Sequence, residues 1–145
     1  GVAGIIAQTP YSLGYIGSEY AFAQKIPCAS VINAQGEAVL PDTKSISAAA
    51  GEIPQDTRCS ITNADAPGAY PISCFTWLLI YKEQDYSSRS EAQAKATLEL
   101  MKYILSDSIQ QTTEAVHYAP LPKKAVELSL NNLKEVTYKG QPVLK

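Results

Sequence analysis

The sequence has a single histidine, one tryptophan and three cysteines among 145 residues, and these scarcities close off several kinds of chemistry. A zinc site built on His117 would need the cysteines as its remaining ligands. Cys28, Cys59 and Cys74 stand far apart and in no zinc or redox spacing, so no metal and no cofactor are expected. Three thiols cannot all pair within one chain. They read as thiols buried in or beside strands, with a Cys28–Cys59 disulfide left open for an oxidising compartment. An excess of one charge is also missing: 12 basic against 14 acidic side chains give a net charge of -2. With no Lys/Arg block, the chain has no electrostatic footprint for nucleic acid. Apolar runs are short, since Val2–Ala7 and Trp77–Tyr81 fall far below the ~20 residues that cross a bilayer. Gly1 opens no signal-peptide pattern, which leaves the compartment open. No GxSxG elbow, serine-lysine signature or Walker loop occurs. No catalytic residue is therefore assigned, and a binding or interaction module is expected in place of an enzyme.

What is present is ordinary globular material, 46% hydrophobic and 18% charged. GVAGIIAQTP reads as the last turns of a helix stopped at Thr9–Pro10, because proline cannot continue it. YSLGYIG reads as a turn and short strand. Ser18 is a plausible N-cap for a helix over SEYAFAQ. A strand over Ala29–Asn33 should follow, then a turn at AQGE punctuated by Gly36. Asp42 or Thr43 should start a small-residue helix that ends near Gly51. Pro54–Asp56 and Asn63–Gly68 are turn-rich and flank a short strand over Arg58–Ile61.

The strongest strand signal is SCFTWLLIYK, Ser73–Lys82. It is almost continuously apolar, which predicts burial on both faces of a largely parallel sheet. Trp77 accordingly reads as core, while Glu83 and Asp85 at the strand exit read as a solvated face. Ser88 and Glu91 have capping-box spacing for a helix whose Ala94, Leu98, Met101 and Leu105 fall on one stripe. A second helix runs through Ile109, Thr113 and Val116. A third begins near Pro122 and carries Val126, Leu130 and Leu133 on one face. YKGQPVLK reads as a turn and tail. His117 reads as a helix-end side chain beside YAPLP. A buried strand at 73–82 needs a neighbour on each side, and no strand of comparable quality follows it. The neighbours would come from other polypeptide or from a second copy of this chain.

Four segments in order, Gly1–Gln24, Asn33–Pro41, Tyr70–Gln84 and His117–Leu133, resemble the phosphate-specific periplasmic substrate-binding proteins of ABC transporters. The resemblance covers essentially the whole chain. It implies a partial type II periplasmic-binding-protein α/β fold: residues 1–69 the later part of the second, ligand-binding lobe, 70–74 the interlobe crossing, and 75–145 the closing strand and helices of the first lobe. It implies inorganic phosphate and ABC permease subunits as partners of the parent protein. The location implied is the periplasm or the extracytoplasmic face of the membrane. Such proteins hold phosphate with hydroxyls, backbone N–H groups, an arginine and an aspartate, and the aspartate repels an unprotonated anion such as sulfate. The principal ligand residues of the family lie upstream of the position matching Gly1. Neither Arg58 nor Arg89 stands in the ligand motif, so no phosphate-binding residue is assigned and weak or absent binding is expected. Tyr11 departs from the family, where many members have glycine. Three alternatives accompany this reading: a non-phosphate solute-binding or scaffold module of the same fold, self-association through Ser73–Lys82, and a phosphoesterase dependent on His117.

Overall fold

The structure, a computed structural model, describes residues 1–51, 53 and 56–144. Its architecture is mixed α/β, with several helices and two small antiparallel sheets. The chain forms two compact units. The first comprises Gly1–Gly51, Ile61–Ser73 and Thr112–Pro120; the second comprises Cys74–Gln111, Leu121–Lys145 and the described part of Glu52–Ser60.

In the first unit α1 (Val2–Gln8) stops before Pro10, as proline requires. Helix α2 (Ser18–Gln24) follows with Gly17, one residue earlier than expected, as its N-cap. The expected strand at 29–33 is reduced to β1 (Val31–Ile32), paired with β2 (Ala38–Val39). Asn33 makes the turn between them. Its side-chain oxygen accepts from the amides of Gln35 (3.0 Å) and Glu37 (2.9 Å), and Gly36 takes the left-handed φ of 77°. Helix α3 (Thr43–Ala49) starts in a capping box: Ser45 N–H donates to Asp42 at 2.6 Å, and Asp42 N–H donates to the Ser45 hydroxyl at 3.0 Å. The buried apolar side chains here are mostly small: Ala21, Ala49, Ala50 and Ala69, with Ile61. A 3-10 helix, Thr113–Val116, ends this unit's helical content, where a full second helix was expected to continue from Ile109.

The second unit holds the larger core. Helix α4 (Glu91–Ile104) is capped by Ser90 with Gln93, and not by the Ser88–Glu91 pair that the spacing also allowed. Ser88 has a φ of 59°, and an N-cap residue needs extended backbone. Ala94 and Leu98 of the expected stripe are fully buried, and Met101 and Leu105 pack against the same cluster. Short helix α5 (Asp107–Gln110) and then α6 (Lys123–Lys134) follow, α6 capped by Pro122. Leu133 of α6 and Val136 join Leu98, with Ile80, Leu130, Val143 and Leu144 packed around them. The closing segment is more ordered than a tail. Strands β3 (Thr137–Tyr138) and β4 (Gln141–Pro142) form a hairpin whose turn residues Lys139 (φ 51°) and Gly140 (φ 73°) are both left-handed, as a two-residue turn matched to strand twist requires.

Three expected strands are absent. YSLGYIG and Arg58–Ile61 form none, and neither does Ser73–Lys82. Of the turn-rich stretch at Pro54–Asp56, Pro54 and Gln55 lie outside the described residues.

Candidate functional site

The extended segment 74–81 of the second unit is the feature with most exposed chemistry. Among the described residues, no backbone–backbone hydrogen bond engages 74–80. Trp77 is 47% exposed, Leu78 60%, Leu79 92% and Tyr81 70%. Trp77 is thus not core; its ring meets that of Phe75 edge-to-face, with centroids 5.6 Å apart. Among the described residues no sheet includes it. An apolar strand is buried by neighbours on each side, and the described residues offer none until Glu83 makes an isolated parallel bridge to Thr137. Ile80 alone of the run packs against the Leu98 cluster. The first unit holds a second exposed apolar stretch, Tyr11, Leu13 and Tyr15, all above 90% exposed.

Glu83 and Asp85 do not form a simple solvated face. The Glu83 carboxylate accepts from the Asp85 amide (3.0 Å), the Thr137 hydroxyl (2.8 Å), the Lys139 amide (2.9 Å) and the Gly140 amide (3.1 Å). These bonds favour the ionised form, with the Asp85 amide the largest contributor, and draw the pKa from 4.5 to about 2 against a smaller opposing effect of burial. The carboxyl releases its proton more readily in the fold than in the unfolded chain. Its stabilisation is therefore present above about 4.5 and is lost as pH falls through about 2. A carboxyl-carbon NMR titration is expected to give Glu83 a midpoint near 2; a midpoint near 4.5 would mean that these bonds are not made in solution.

The residues that a catalytic or anion site would use are otherwise engaged. His117 ends the 3-10 helix at a left-handed φ of 65° and meets Phe22 edge-on at 5.8 Å, which is the structural role expected of it. Arg58 is exposed and paired with Asp56 at 2.6 Å, and that pairing lowers the Asp56 pKa to about 2. Arg89 donates to the Tyr86 hydroxyl (2.8 Å), the Gln93 carbonyl (3.0 Å) and the Thr97 hydroxyl, and lies over the Tyr86 ring. The cysteines are free thiols: Cys28 and Cys59 are half-buried and Cys74 is exposed, contrary to the expectation of burial. Among the described residues no group of three or more His, Cys, Asp or Glu could hold a metal ion, and no helix is long and apolar enough to cross a membrane.

The chain is similar to several known proteins over most of its residues. A phosphate-binding protein PstS of Methanocaldococcus jannaschii is 32% identical over 90% of this chain and 36% of its own length. One from Xylella fastidiosa strain Temecula1 is 34% identical over 88% of this chain and 35% of its own. Over these residues the chain is similar to part of proteins named for phosphate binding. A more distant PstS, from Pasteurella multocida, is 25% identical over 88% of the chain. No protein-family model matches. The chain spans about a third of the length of the curated relatives it matches. The mixed α/β architecture agrees with a partial periplasmic-binding-protein fold.

Proposed function

We propose that this chain is the carboxyl-terminal portion of an extracytoplasmic phosphate-binding protein that delivers inorganic phosphate to an ABC permease. The observation that carries the reading is the alignment of about nine-tenths of the chain with proteins named for phosphate binding. On this reading residues 1–69 belong to the later part of the second lobe of a type II binding-protein fold, 70–74 to the crossing between lobes, and 75–145 to the first lobe. One of the changes of compact unit, between Ser73 and Cys74, falls within the proposed crossing, while Thr112–Pro120 groups with the first unit. The unpaired apolar segments 11–15 and 74–81 are then strands of the two lobes, whose sheet neighbours belong to the rest of the parent protein. Ligand capture is closure of two lobes over an anion, without covalent chemistry. The arginine, aspartate and serine-glycine-threonine run that grip the anion belong upstream of Gly1, consistent with Arg58 and Arg89 both being committed to other acceptors. Reading the gene upstream of the Gly1 codon tests this. An arginine, an aspartate and a serine-glycine-threonine run are expected there; an open reading frame without them overturns phosphate as the ligand and favours another solute.

A second reading concerns the chain by itself, and the exposure of Trp77, Leu78, Leu79 and Tyr81 favours it. Residues 73–81 carry no charge and no proline, so two copies can pair along this edge without like-charge repulsion. The 145-residue chain is expected to associate as its concentration rises, and Leu79→Lys to reduce that association. Light scattering that gives a compact monomer at every concentration rules the pairing out.

A further inference from the structure

The Glu83 carboxylate sits where an oxyanion would. Three of its four donors are main-chain amides, and those of Lys139 and Gly140 come from successive residues at the hairpin turn. The pairing of β3 with β4 runs through Tyr138 and Gln141 and Thr137 and Pro142. The two turn amides are therefore left over from the ladder and donate to Glu83 at the exposed surface. Backbone N–H groups converging in this way form a concave site of positive potential that favours anions, and bonds to an ionised acceptor are the stronger kind. The Thr137 hydroxyl completes the set.

We propose that these donors form an oxyanion nest which the chain fills with its own Glu83 side chain, making Glu83 the latch that fastens the β3–β4 hairpin to residues 82–84. The latch joins groups 54 to 57 residues apart in sequence. It lies beside two backbone bonds of 2.8 Å, Thr137 N–H to the Lys82 carbonyl and Gln84 N–H to the Thr137 carbonyl, and sets their parallel register. Because residues 82–84 continue directly from the exposed run 74–81, the latch also fixes one end of that run. An empty nest would retain its donors and accept a small carboxylate from solution.

Native-state amide exchange on the full 145-residue chain tests this, with the Leu98 amide in α4 as the reference for the rest of the unit. Glu83→Ala is expected to speed exchange at Lys139 and Gly140 by about tenfold or more while Leu98 is unchanged. Sodium acetate should slow it again, and sodium chloride at the same ionic strength should not. Glu83→Gln, which keeps an acceptor oxygen and loses the charge, should lie between wild type and Glu83→Ala and ignore acetate. If Glu83→Ala also exposes Leu98, Glu83→Gln decides alone. Wild-type protection at the two turn amides in Glu83→Gln, or in Glu83→Ala with Leu98 intact, overturns the latch. Lost protection that acetate does not restore in Glu83→Ala overturns the nest.

Discussion

Leu98→Ala is expected to destabilise the second unit by about 2–5 kcal/mol, the range for truncating a fully buried leucine. Leu98 has no exposed surface and lies at the centre of a cluster drawn from α4, α6 and the closing hairpin segment: Met101 and Leu105 from its own helix and its end, Leu130 and Leu133 from α6, Val136, Val143 and Leu144 beyond it. Truncation removes apolar contact on several sides at once, and the surrounding residues belong to different elements that cannot all shift to close the space. Leu100, on the same helix but 57% exposed, serves as the control. Leu100→Ala should cost much less, since an exposed side chain has little burial to lose. Chemical denaturation monitored by Trp77 fluorescence and by circular dichroism measures both. Equal effects of the two substitutions would mean that the cluster is not the core of this unit.

The helices were legible in the sequence because their information is local. Ala94, Leu98, Met101 and Leu105 recur at helical spacing, and Asp42 stands next to its helix, so pattern and cap agree. The cap of α4 was misplaced by two residues because Ser88–Glu91 and Ser90–Gln93 both satisfy the same spacing, and only backbone conformation separates them. Strands depend on partners. Ser73–Lys82 has the composition of a central strand but forms none here, because composition alone does not supply the pairing partners a strand needs. Glu83 is solvent-exposed as expected, but its bonds were not legible, for a related reason. Three of its acceptor bonds come from donors more than fifty residues downstream, and the only local hint was the YKGQ turn that presents two of them. The resemblance read from four ordered segments agrees with the similarity to phosphate-binding proteins over about nine-tenths of the chain.

On the proposed assignment, the 145-residue chain has lobes without the groups that grip the anion, and the expected effect on affinity is correspondingly large. Tight anion binding in a cleft needs several directed donors and a cation converging on one point, with water excluded. Arg58 pairs with Asp56 in open solvent, and Arg89 donates to Tyr86, Gln93 and Thr97. Neither stands in a cluster of converging donors with the other. Isothermal titration of the 145-residue chain with inorganic phosphate, with sulfate as the comparison anion, is the most direct test. No one-to-one complex of micromolar or better affinity is predicted for either anion. A saturable one-to-one phosphate complex in that range, selective over sulfate, would contradict the account and place a complete anion site within these residues.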